Sequence, residues 1–117
     1  MYVTKVDSAF PSPRIVNGVI MWYAGDVFKV GLKLKLLDID SEEITLGRDD
    51  SVSIIIRDDR MEQVKVFEFD NVDENYVVMD FTSEVSALFP PGIYFYDIKL
   101  TGTYNTTIVK NNRMKVE

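Results

Sequence analysis

Val27-Phe28-Lys29-Val30-Gly31-Leu32-Lys33-Leu34-Lys35-Leu36-Leu37 is the stretch that decides the fold class. Phe28, Val30, Leu32, Leu34 and Leu36 alternate with Lys29, Gly31, Lys33 and Lys35, which is the period of two of a strand with one dry and one wet face. Further strands flank it on the C-terminal side. Ser51 to Arg57 places Val52, Ile54 and Ile56 on one face. Val64 to Phe69 and Tyr76 to Phe81 follow, separated by the polar loop Asp70-Asn71-Val72-Asp73-Glu74-Asn75. Ile93 to Leu100 sends Tyr94, Tyr96, Ile98 and Leu100 to one side and Ile93, Phe95, Asp97 and Lys99 to the other.

Shorter segments fill in the rest. Ile15 to Tyr23 is β-branched and apolar but contains Asn17-Gly18, so it reads as one bulged strand or a small hairpin. A short strand is expected at Ile44-Thr45-Leu46, and the last two at Thr106 to Lys110 and Arg113 to Val116, with Asn111-Asn112 turning between them. Thr82 to Phe89 suits a helical turn with Ser83 as its cap, ended by Pro90-Pro91-Gly92. Pro11-Ser12-Pro13 holds its neighbourhood extended, because proline fixes its own φ and pushes its predecessor out of the helical region. The expected organisation is an extended N-terminal arm over residues 1–13 and one domain over 14–117. Seven to eight short strands with little helix predict an all-β, Ig-like antiparallel sandwich, with a small closed barrel as the alternative.

Composition narrows the function by exclusion. The 117 residues carry 13 Lys+Arg against 19 Asp+Glu, a formal charge of −6, with no His and no Cys. Acidity disfavours non-specific binding to nucleic acid or anionic membranes. Without Cys and His there is no disulfide, thiolate nucleophile, imidazole base or His/Cys metal site. No apolar run approaches the roughly 18 residues of a membrane span, and Met1 to Asp7 lacks a secretory core.

The remaining candidate chemistries fit poorly. Asp38-x-Asp40-x-Glu42 lacks the glycine and the distal glutamate of a calcium-binding loop. The acids lie in turns, where solvated hairpin loops explain them, and a chain this short has little room for a glycosidase cleft. No serine sits in a Gly-x-Ser-x-Gly elbow or a Ser-x-x-Lys pattern, and the glycines are too scattered to cradle a phosphate. No catalytic, cofactor or metal residues are assigned. The aromatic residues read mainly as core, although Trp22, Tyr23 and Tyr94 to Tyr96 allow a carbohydrate-binding platform as a second reading. That reading requires Trp22 or Tyr94 on the surface.

Phe81-Thr82-Ser83-Glu84-Val85-Ser86-Ala87-Leu88-Phe89-Pro90-Pro91-Gly92-Ile93-Tyr94-Phe95-Tyr96-Asp97-Ile98-Lys99-Leu100 resembles a Thr-x-Glu-x-x-x-Leu-x-Pro-x-Gly-x-Tyr-x-Tyr-Asp-Ile-x-Leu run. That run belongs to Ig-like sandwich modules of phage structural proteins, such as the N-terminal domain of baseplate upper proteins and related tail and fibre proteins. Ala24-Gly25-Asp26-Val27-Phe28 is similar to the family's Gly-Asp-x-Phe opening of its long strand, and Asp38 to Gly47 to its first connection. The segment from Leu88 to Leu100 is the specific part. The resemblance implies a non-enzymatic virion component (baseplate, tail, fibre or head decoration), made in the bacterial host cytoplasm and built into a symmetric or homo-oligomeric assembly. Its partners would be other virion subunits, with no cofactor, nucleic acid or membrane. The expected interface residues are Tyr2, Val3, Phe10, Trp22, Tyr23, Phe89 and Phe95, with the arm reaching a neighbouring subunit.

Overall fold

The computed structural model describes residues 2–8, 13–16 and 19–117, with residues 2–8 and 16 described by their backbone only. Among the described residues, nine strands and one helical turn follow one another. They are β1 (Tyr2–Ser8), β2 (Arg14–Val16), β3 (Val19–Trp22), β4 (Phe28–Lys35), β5 (Ser51–Arg57), β6 (Gln63–Asp70), β7 (Tyr76–Phe81), α1 (Ser83–Ser86), β8 (Gly92–Thr101) and β9 (Thr106–Val116). They form a three-stranded sheet, β1-β4-β7, and a six-stranded sheet, β2-β3-β9-β8-β5-β6. Both sheets are open, so the fold is a sandwich and not a closed barrel. Taking β1, β4 and β7 as strands A, B and E, and β5, β8 and β9 as C, F and G, gives an immunoglobulin-type arrangement. β6 lies beyond C.

Alternation dictates which side of each strand is dry. β4 buries Phe28, Val30, Leu32 and Leu34, β5 buries Val52, Ile54 and Ile56, and β8 buries Tyr94, Tyr96, Ile98 and Leu100. These faces meet in one core with Ile20, Met79, Met114 and Val116. Gly31 of β4 lies beneath the Tyr76 hydroxyl, which occupies the space a Cβ would fill. The ring thereby covers backbone that a glycine leaves bare.

The segment from Ile15 to Tyr23 resolves into a hairpin. Val16 pairs with Val19 and Arg14 with Met21, while Asn17 and Gly18 lie outside the described residues. β3 then runs parallel to β9, Ile20 beside Met114 and Trp22 beside Val116. The sandwich is therefore not wholly antiparallel. Tyr2–Ser8, within the expected arm, pair antiparallel with β4 of the same chain, Val6 opposite Leu32.

Three local expectations are corrected. Ile44-Thr45-Leu46 is not a strand. Asn75 holds this crossing instead: its Oδ1 accepts from the Leu46 amide at 2.8 Å and its Nδ2 donates to the Ile44 carbonyl at 2.7 Å. The cap of α1 is Thr82, not Ser83, with Thr82 Oγ1 accepting from the Val85 amide at 3.2 Å. Asn111-Asn112 does not separate two strands. β9 is continuous and bulged there, because Tyr96 pairs with Asn112 and Ile98 with Val109, leaving Lys110 and Asn111 together opposite Asp97. Asn111 takes φ 55°, a left-handed conformation that asparagine tolerates better than most residues.

Candidate interaction face

The segment from Phe81 to Leu100 builds one corner of the sandwich and then crosses its six-stranded sheet. α1 is capped at its C-terminus by Ala87, and the chain turns through Pro90-Pro91-Gly92 into β8. The Tyr94 hydroxyl donates to the Pro90 carbonyl at 2.5 Å, tying the start of the strand to the loop four residues before it. This is the tyrosine corner of immunoglobulin-like sandwiches. Burial raises the Tyr94 pKa, and the charges of Asp58 and Asp59 raise it further, so the hydroxyl stays a donor.

Since β8 turns its even-numbered side chains into the core, Ile93, Phe95, Asp97 and Lys99 belong to the outer surface of the sheet. Phe95 is half-buried and Ile93 is 47% exposed. Register places Arg57 of β5 on one side of Phe95 and Arg113 of β9 on the other. Lys115 of β9 stands between Ile93 and Met21 of β3, and Met21 is followed across the sheet by Arg14. Tyr23, 53% exposed, lies at the same end with the Arg14 guanidinium 5.7 Å from its ring centre. A small apolar strip is thus bordered by cations along β9 and β2, while Asp58, Asp59 and Arg60 line the recess on the other side of Ile93.

The cations are unevenly neutralised. Arg57 donates to Asp97 Oδ2 at 2.7 Å, and Asp97 Oδ1 accepts the Asn111 amide of the bulge at 2.8 Å. Burial pushes the Asp97 carboxyl upward. The Asn111 amide, the Arg57 hydrogen bond and the charges of Arg57 and Lys110 outweigh it, so the net shift is downward and the carboxylate stays ionised. One exposed carboxylate, Glu117, lies 3.9 Å from both Arg14 and Lys115. Among the described residues, Arg113 and Lys99 make no ion pair.

The structure distributes the expected interface residues unevenly. Tyr23 and Phe95 lie on this face. Trp22 and Phe89 do not reach the surface, being 2% and 1% exposed, and their assignment as contacts is corrected. Trp22 packs on Phe28 at 5.2 Å, Phe81 at 5.1 Å and Phe89 at 5.7 Å between ring centres. Trp22, Phe28 and Phe81 stand on inward positions of facing sheets, and Phe89, in the turn between α1 and β8, packs in against them. Tyr2 and Val3 belong to β1 by their backbone, and Phe10 lies outside the described residues. Tyr94 is only 4% exposed, so neither it nor Trp22 offers a ring to a sugar, and the platform reading loses its requirement.

Sequence reading missed Ile93, Arg57 and Arg113 as members of this face. Alternation gives the side of β8 on which Ile93 stands, but only strand register reveals the two arginines as neighbours of Phe95. The acidic turns are accounted for locally. Asp38 Oδ1 accepts the amides of Asp40 at 2.8 Å and Glu42 at 3.0 Å, and Asp58 Oδ1 accepts those of Arg60 and Glu62, both at 2.9 Å. Asp-Ile-Asp-Ser-Glu and Asp-Asp-Arg-Met-Glu are therefore the same turn built twice, with Ser41 and Met61 at φ 62° and 65°. Each keystone aspartate commits one oxygen to its own backbone. Among the described residues, no three acidic side chains converge as a metal site would need.

The fold and its corner define an immunoglobulin-like β-sandwich with an apolar, cation-bordered outer sheet face. No family model matches the chain, and no curated protein matches it in sequence.

Proposed function

We propose that this chain is a non-enzymatic structural component of a phage virion or phage-like tail, docking neighbouring subunits through the outer face of its six-stranded sheet. The observation that carries the reading is the coincidence of two features in one segment. Leu88 to Leu100 bears the resemblance to phage sandwich modules, and the same residues form the corner and present Ile93 and Phe95 outward. Flat sheet faces with an apolar centre and a charged rim suit protein–protein contact. Residues 2–8, expected to belong to an arm reaching a neighbouring subunit, pair with β4 of their own chain, so docking falls to the sheet face. Weak contacts of this size gain strength by repetition in a symmetric assembly. Electron microscopy of purified particles, labelled with an antibody to this chain, tests the proposal. Label at a fixed position on the particle is the expected result, and particles without it would overturn the reading.

A further inference from the structure

The outer face and the acidic loops of this protein are complementary. The loop that leaves β4 carries Asp38, Asp40, Glu42 and Glu43, and at its tip Ile39 is 99% exposed. An isoleucine held out in water among four carboxylates is the counterpart of the face described above, where Ile93 and Phe95 stand beside Lys115 and Arg113. Asp38 fixes the shape of the tip by taking the amides of Asp40 and Glu42 and by accepting the Ser41 amide at its carbonyl. The side chains of Asp40 and Glu42 are exposed. On the other side, Arg113 and Lys99 have no anionic partner among the described residues, and Lys115 shares Glu117 with Arg14.

From this complementarity of charge and of exposed apolar residues we infer that the occupant of the outer face is a second copy of this chain, which seats its Ile39 tip against Ile93 and Phe95 with Asp40 and Glu42 toward Arg113 and Lys115. The inference deepens the docking reading given above and rests on it. Loop and face are different parts of the surface, and the contact is inferred to be heterologous: each copy offers its loop to one neighbour and its face to another, which propagates as a row or closes as a ring. A two-fold dimer in which each loop seats on the other copy's face at once would stop at the dimer, and sedimentation of the natural chain at high concentration tells the two apart. Exposed ion pairs are individually weak and screened by salt. Association is therefore expected to be weak, salt-sensitive and cumulative.

Two variants test the contact while leaving the core and the Asp38 side chain that holds the turn in place. Arg113→Glu/Lys115→Glu disables the face and leaves the loop. Ile39→Lys/Asp40→Lys disables the loop and leaves the face. Sedimentation velocity of the natural chain is expected to show concentration-dependent self-association. Raising salt from about 0.1 M to about 1 M, which shortens the screening length from about 10 Å to about 3 Å, should weaken it. Each variant alone should sediment as a monomer with unchanged circular dichroism. An equimolar mixture should form dimers that grow no further, because one working loop meets one working face. A natural chain that stays monomeric at every concentration would overturn the inference. So would association that survives both variants, or a mixture that fails to pair, since a face-to-face dimer behaves in that way. A monomeric chain that nevertheless labels particles would retain the virion role and remove this contact alone.

Discussion

Replacing Asp97 by Asn and by Ala separates its two duties. The carboxylate makes a 2.7 Å ion pair with Arg57 and a 2.8 Å bond with the Asn111 amide. Its side chain is 5% exposed, against 24% for Arg57. In Asp97→Asn, the amide oxygen still accepts from Asn111, but an NH2 now opposes the guanidinium. One charge-assisted bond is lost, an effect of about 1.5–3 kcal/mol. Arg57 has enough exposure to recover some hydration, which places the cost near 2 kcal/mol. Asp97→Ala also strands the bulge amide, adding about 1–3 kcal/mol for an unmet donor, for a total near 4 kcal/mol. The assay is urea unfolding followed through Trp22, the sole tryptophan, whose buried ring changes environment on unfolding.

The acid dependence of this pair supplies the second half of the test. The folded-state pKa of Asp97 is lowered, so its stabilisation is present above the ordinary carboxylate value of about 4 and is lost as pH falls through the folded value. The advantage of the natural chain over Asp97→Asn should therefore be full at pH 7 and shrink below about pH 4. Equal stability of the two proteins at pH 7, or a gap that stays constant into strong acid, would refute the assignment.

Three further outcomes follow from geometry already described. Tyr94→Phe removes the bond to Pro90 and should cost about 1 kcal/mol at neutral pH. Because the Tyr94 pKa is raised on folding, that advantage is complete below the unfolded value near 10 and fades as pH rises through the folded one, which an alkaline denaturation series will read. Met61→Gly should stabilise by roughly 0.5–1 kcal/mol, since Met61 holds φ 65° at an exposed tip where a Cβ is a penalty; thermal unfolding measures it. Asn75→Ala loses two side-chain bonds to the Ile44–Leu46 crossing and places alanine at φ 57°, for about 3 kcal/mol. Hydrogen exchange at the Leu46 amide should accelerate in that variant.

The strands were legible where alternation is strict. Ser51–Arg57 and Tyr76–Phe81 have the bounds that the sequence suggests, and Phe28–Lys35 lies inside its expected range. Alternation reports only a local period, however, and cannot name a partner. Hence the parallel pairing of β3 with β9 and the strand formed by Tyr2–Ser8 were not legible. Asn111-Asn112 misled for a physical reason: the left-handed backbone that asparagine favours serves turns and bulges alike. Ile44 to Leu46 has strand-forming residues, yet Asn75 takes its backbone groups from a distance of about thirty residues in sequence. Trp22 and Phe89 were misassigned because aromatic content says nothing about whether a ring faces the core or the solvent. The repeated Asp-x-x-x-Glu turn was present in the sequence, and its matching spacing is the signal that would have revealed it.

The pairing of Trp22 with Val116 has a consequence for how the protein is made. The hairpin of β2 and β3 is synthesised early, but the strand that receives it in the sheet comes about ninety residues later. Contacts so distant in sequence are slow to form, because a long loop must close before they contribute. On the ribosome, β3 has no sheet partner other than β2 until β9 has emerged. Until then, the inner face of that hairpin, Ile20 and Trp22 included, must wait beside an incomplete core. A nascent chain halted before Met114 should therefore expose Trp22 to solvent quenchers, whereas one extended past Glu117 by a tunnel-length linker should protect it.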